Sequence, residues 1–254
     1  MTTELLILCL AAFAAGFIDA IVGGGGLISV PAALIFMPGY PVATCVGTIK
    51  IPAFCGTSLA AWKYSRHVKL NYKHLAIMGF LALPMAVIGS KLLTQVSNDF
   101  MKPVLLVVLS GVAFYTYKKK HFGVHTEKDH TEKEHILYAI GISIIIGLYD
   151  GFIGPGAGSF LILAFITLLG YDFMKAGATA KFVNLSTNIG SIILFASTGN
   201  IVYKIAIPMA VCNATGAYFG ARLAILRGNT FIRIFFLTVV IAVMIRFAWD
   251  VFGS

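Results

Sequence analysis

Two lysines and two aspartates of this 254-residue chain stand inside stretches that are otherwise apolar: Asp19, Lys50, Asp150 and Lys181. A charge held in hydrocarbon is costly, roughly 2.5 to 3.5 kcal/mol at the centre of an inserted helix, and such residues usually face an interior and serve a function. Lys50 and Lys181 lie near the middle of their segments, too far from either end for the ammonium to reach water easily. Each therefore needs a carboxylate, a wet cavity or an anion beside it. Two chemistries are open. The lysines close internal salt bridges, Lys50 with Asp19 and Lys181 with Asp150, or they bind and gate an anion; the two are compatible. Asp19 and Asp150 either brace the chain through backbone N–H groups just downstream or carry protons.

A glycine run follows each aspartate: Gly23, Gly24, Gly25 and Gly26 after Asp19, and Gly154, Gly156 and Gly158 after Asp150, with Pro155 interrupting the second. Such runs break a helix and free backbone N–H and C=O groups, which must then be buried in protein or line a wet cavity. A helix beginning after each break directs free N–H groups and the positive end of its dipole inward, which suits an anion. Close helix packing through small residues is the structural alternative. Thr48 and Thr179 stand two positions before the lysines, and Asn184 and Asn188 share a helical face with Lys181. The expected anion-binding set is therefore those glycines with Thr48, Lys50, Thr179, Lys181, Asn184 and Asn188. Ala53 and Thr57 occupy the first-half positions equivalent to the two amides, so the two walls differ chemically. Interhelical hydrogen bonding is the alternative use of these polar groups.

These residues recur at one offset. Shifted by 131 positions, Gly16, Asp19, Gly23, Gly25, Gly39, Tyr40, Thr48, Lys50 and Gly89 fall on Gly147, Asp150, Gly154, Gly156, Gly170, Tyr171, Thr179, Lys181 and Gly220 without a gap, and Lys91 falls on Arg222. The elements that must carry them are apolar. The chain is 59% hydrophobic and 11% charged, against about 25% charged in soluble domains, which makes it an all-α polytopic membrane protein. Apolar segments are expected over about 5–22, 27–38, 41–62, 74–93 and 100–117, then 136–153, 157–170, 173–196, 203–223 and 230–252. Roughly 20 residues span the hydrocarbon core, so the second segment of each half is too short to cross, and the third to fifth are long enough. The division is a first membrane repeat over 1–117, a cytoplasmic linker over 118–135 and a second membrane repeat over 136–254.

Loop charge orients the halves. Lys63, Arg66, Lys69 and Lys73 crowd one loop, whereas its second-half equivalent holds Lys204 alone. Basic loops favour the cytoplasmic side, so the repeats are inverted, each a glycine-broken short helix pair followed by three transmembrane helices. Inversion needs an odd number of crossings per half, which makes the first two segments a re-entrant hairpin or two spans and puts both termini outside. The linker, with His121, His125, His130 and His135, reads as a solvated loop, metal or pH sensing being the alternative. The net charge of +9 resides in these short loops and gives no argument for nucleic acid. Cys9, Cys45, Cys55 and Cys212 have unrelated spacings and suggest neither a metal site nor a disulfide framework. The N-terminus has no basic region ahead of its apolar run, so the first segment is expected to stay in the membrane. Nucleotide-binding loops and a His-Glu-x-x-His helix are absent from the sequence, and Ser159 has no recognisable base, so an enzyme is not expected.

The run GFIDAIVGGGGLISVP followed by GTIK, echoed by GLYDGFIGPGAGSF and ATAKFVNLSTNIGS, resembles the TauE/SafE-type sulfite and organosulfonate exporter family over essentially the whole chain. The resemblance implies an integral membrane protein of seven or eight spans that moves sulfur-containing anions. It points to Asp19, the run from Gly23 to Gly26, Lys50, Asp150, Gly154, Gly156, Gly158 and Lys181. Pro155, where the first run has Gly24, would stiffen the second break. Residues and resemblance together lead to a secondary transporter exporting sulfite, sulfoacetate or a related organosulfonate across a bacterial inner (plasma) membrane. Its site would lie between the inverted repeats and use no metal or cofactor. The expected partners are the small anion, the bilayer and, in an assembly, a second copy as a homodimer. An anion channel, a proton-coupled uptake permease for a similar anion and a non-transporting membrane subunit are the alternatives.

Overall fold

A computed structural model of the chain describes residues 2–97, 100, 104 and 131–252, with backbone alone for 2, 233 and 236–252. The described elements are α-helices: α1 (Thr2–Val22), α2 (Gly26–Phe36), α3 (Val42–Ser65), α4 (Tyr72–Gln95), α5 (Glu132–Phe152), α6 (Ala157–Leu169), α7 (Phe173–Ser197) and α8 (Tyr203–Phe252). The segment expected over 100–117 lies outside the described residues except for Phe100 and Val104, and so does the linker over 118–130 with His121, His125 and His130.

Three helices begin at a side-chain cap. Asn71 caps α4 by accepting from the Lys73 and His74 N–H groups. Thr131 and Glu134 form a capping box at the start of α5, and Asp172 accepts from the Lys175 N–H at 2.8 Å to open α7. These contacts satisfy N–H groups that the first helical turn leaves without partners. α1, α3, α4, α5 and the Tyr203–Ile232 part of α8 are long and apolar enough to cross a membrane. α2 and α6, at 11 and 13 residues, are too short, as the sequence indicates. α7 has 25 residues but buries Lys181, Asn184, Thr187 and Asn188. Gly228 (φ 69°) interrupts α8, between the segments expected over 203–223 and 230–252.

The halves are interleaved. α1 packs chiefly on α8 and α5 on α4, so the first helix of each half lies against the fourth helix of the other. α3 packs on α8, α7 on α4, and α3 and α7 on each other. Bare glycine backbone permits the two long crossings: a Cβ on Gly220 would lie 2.3 Å from the Phe17 carbonyl oxygen, and one on Gly89 would lie 2.2 Å from that of Leu148. The two contacts are equivalent at the 131-residue offset. Close backbone approach of this kind is how helices associate where lipid removes the hydrophobic drive. Leu6, Leu10, Phe80, Ile145, Ile207 and Leu226 project outward, an apolar exterior suited to hydrocarbon.

Candidate functional site

The two glycine breaks touch. Gly23 and Gly154 both have positive φ, 78° and 86°, a conformation glycine adopts without a Cβ penalty. A Cβ on Gly23 would stand 2.3 Å from the Gly158 carbonyl carbon, and one on Gly26 would stand 3.0 Å from Pro155 Cα. The Ser159 N–H donates to the Gly23 carbonyl at 3.0 Å, and the Ser159 hydroxyl to that of Val22 at 2.9 Å. Helix ends release carbonyls, and neighbouring helices supply their partners. Tyr64 donates to Ala20 O at 3.0 Å, and Ser90 to Gly151 O at 3.2 Å. Ala20 and Gly151 are themselves equivalent at the 131-residue offset, although Tyr64 and Ser90 are not.

The lysines complete this set. Lys50 donates to the carbonyl oxygen of Asp150 at 2.8 Å and to its Oδ1 at 3.0 Å. Lys181 donates to the carbonyl oxygen of Asp19 and to its Oδ2 at 2.8 Å. Each ammonium thus grips a carboxylate and a carbonyl at the negative end of a helix dipole. The pairing Lys50 with Asp19 and Lys181 with Asp150, open from the sequence, is replaced by its exchange: each lysine reaches the aspartate of the other half. Because α3 and α7 meet at the centre, each lysine faces the end of the opposite half's first helix.

The two pairs differ in their surroundings. Asp150 also accepts from the Asn184 amide at 3.1 Å and from the Thr187 hydroxyl. Its side chain is 5% exposed. Asp19 accepts from the Gly25 N–H at 3.3 Å, the bracing contact that its spacing suggests, and its side chain is 20% exposed. The second-half carboxylate is locked in a polar network; the first-half one borders open space.

That space is a cavity of about 50 Å³, room for a few water-sized groups. Asp19, Gly23, Gly25, Gly26, Lys50, Asp150, Gly154, Gly156, Gly158, Asn184 and Asn188 line it. Gly24, Thr48, Thr179 and Lys181 lie off its lining. The threonines bond along their own helices, Thr48 to Thr44 O at 2.6 Å and Thr179 to Lys175 O at 2.8 Å, because residues two apart point to different sides of a helix. Thr48 also accepts from the Val202 N–H at 3.0 Å, tying α3 to the start of α8. Asn184 gives one amide N–H to Asp150 and accepts from Thr57 at 3.4 Å and from Asn188 at 3.3 Å. The repeat singled out none of Ser159, Tyr64, Ser90 and Asn213, since each faces a different residue type at the 131-residue offset.

A family model described as sulfite exporter TauE/SafE matches residues 8–247. The chain belongs to this family. Its relatives include a probable membrane transporter protein of a Sinorhizobium species, 36% identical over 97% of this chain and 93% of that protein. Another, from Haemophilus influenzae, is 34% identical over 90% of this chain and 88% of its own length. The probable membrane transporter protein YfcA of Escherichia coli K12 is 33% identical over 98% and 91%. No solved structure gives a significant match. Membership of TauE/SafE and the long apolar helices make the chain a multi-pass membrane protein of a transporter family.

Proposed function

We propose that this chain is a secondary transporter that exports a small sulfur-containing anion, such as sulfite, sulfoacetate or a related organosulfonate, across a bacterial plasma membrane. Its site lies between two inverted repeats, with the linker on the cytoplasmic side. The observation that carries the proposal is the reciprocal exchange of Lys–Asp pairs beside one small cavity where the two glycine breaks abut. Broken helices meeting at the centre of a two-repeat bundle are how many transporters build a substrate site. Lys50 supplies positive charge on the lining and Lys181 from behind Asp19, and the starts of α2 and α6 contribute their positive dipole ends, the N–H groups of Leu27, Ile28, Ser29, Ala157 and Ser159 being already bonded to carbonyls. Rocking of the α1–α3–α8 group against the α4–α5–α7 group opens the cavity to alternate sides. An inside-negative potential drives anion exit by about 2.3 kcal/mol per charge per 100 mV, so export needs no coupling ion.

The test is flux from proteoliposomes loaded with labelled sulfite, sulfoacetate, thiosulfate or an organic carboxylate. Efflux of the sulfur anions, faster with the interior negative and faster than that of the carboxylate, is expected. A wild-type protein that moves none of them would overturn the proposal, and single-channel currents far above transporter turnover would favour the channel. One observation favours a second reading. The two lysines and two aspartates cancel in charge, so an entering anion leaves the site negative unless a proton joins it. Proton-coupled uptake follows from that balance, with the more open Asp19 as the acceptor. Acidifying the outer solution would then drive accumulation.

A further inference from the structure

Asn213 stands on α8 at the edge of the cavity, 4% exposed. Its carboxamide makes no hydrogen bond to any described residue. The side chain borders the cavity, so its hydrogen-bonding capacity is open to whatever fills that space. The fold goes out of its way to seat it. A Cβ on Gly56 would lie 2.0 Å from Asn213 Oδ1, and one on Gly16 would lie 2.8 Å from the same atom. Only bare backbone on α1 and α3 leaves space for this side chain. An oxygen pressed against glycine Cα–H groups makes weak favourable contacts, so the NH2 is the half of the carboxamide that still lacks an acceptor. The seat exists on one side of the molecule alone. At the 131-residue offset, Asn213 is matched by Ala82 and Gly56 by Thr187, whose hydroxyl is committed to Asp150. Asn184, by contrast, is already oriented by bonds to Asp150, Thr57 and Asn188.

Resting on the anion-transport proposal above, we infer that Asn213 is a specificity-determining residue whose NH2 donates to an oxygen of the transported anion. The site then selects oxyanions, sulfite or sulfonate groups among them, over anions of similar charge that offer no acceptor oxygen, such as thiocyanate. A neutral donor also avoids adding a third cation to a site whose charges already cancel.

The experiment compares full-length wild type, Asn213→Ala, Asn213→Ser and Asn213→Asp in proteoliposomes, with sulfite and sulfoacetate as probes and thiocyanate as competitor. Removing a hydrogen bond to a charged oxygen weakens binding by about tenfold or more. KM for sulfite is therefore expected to rise about tenfold in Asn213→Ala while kcat stays within about twofold. Asn213→Ser, which keeps a donor, is expected to recover part of the loss, and thiocyanate to compete better against the alanine variant than against wild type. Asn213→Asp keeps the shape and replaces the donor with a repelling carboxylate, so sulfite transport is expected to fall further; it serves as the deciding variant should Asn213→Ala fail to fold. A wild-type KM in both Asn213→Ala and Asn213→Asp would overturn the inference and leave the transport proposal standing. A wild-type protein that moves neither anion would overturn both.

Discussion

The exchanged ion pairs can be tested by double-mutant cycles. Lys181→Met leaves the Asp19 carboxylate without its ammonium, and Asp19→Asn leaves the Lys181 charge, 2% exposed, without its counterion. Removing one partner of a buried pair costs about 3 to 5 kcal/mol, because the other charge stays buried and uncompensated. Replacing both partners removes that penalty, and the double variant should be no less stable than either single one. The coupling for Lys181 with Asp19 is then at least about 3 kcal/mol, the size of one single-variant loss, and that for Lys50 with Asp150 is similar. The Asp19 carbonyl keeps its Gly23 N–H at 2.8 Å when Lys181 is lost, so the penalty falls mainly on the carboxylate. The non-exchanged cycles, Lys50 with Asp19 and Lys181 with Asp150, are expected to couple by less than about 1 kcal/mol. Equilibrium unfolding of purified protein in mixed micelles, followed by the helical circular dichroism band, gives all four cycles. A larger coupling within each half than between halves would refute the exchange.

Other perturbations read the same geometry. Gly23→Ala adds a Cβ at positive φ against the Gly158 backbone and should cost about 2 to 5 kcal/mol, whereas Gly39→Ala, with open space around it, should stay within about 0.5 kcal/mol in the same assay. Thr187→Val removes the hydroxyl donated to Asp150 at nearly constant volume, and should destabilise by about 1.5 to 3 kcal/mol in micelle unfolding.

Most helices could be placed from hydrophobic length alone, but the expected starts at 74 and 136 fall inside the helices that Asn71 and Thr131 cap, because the first turns, Tyr72–Lys73 and Glu132–His135, are polar. The short α2 and α6 were visible too, since glycine runs mark a break whatever packs around them. Which lysine meets which aspartate was not visible. A repeat equates Lys50 with Lys181 without saying which of two equivalent aspartates lies near either, and only the meeting of α3 and α7 at the centre decides it. Thr48 and Thr179 recur faithfully yet bond along their own helices, so recurrence at an offset marks a shared fold as readily as a shared site. Asn213 went unseen for the opposite reason: Ala82 takes its place in the other half, and the glycines that seat it, Gly16 and Gly56, are distant in sequence. Its signal was a polar residue in an apolar stretch, the same signal that singled out the lysines.

The most direct measurement is the efflux of labelled sulfite from proteoliposomes containing wild type, Lys50→Ala or Lys181→Ala. Transport by wild type, with loss of most flux in each variant that still folds, is the expected result. Wild-type flux in both variants would contradict a site built from the two exchanged pairs.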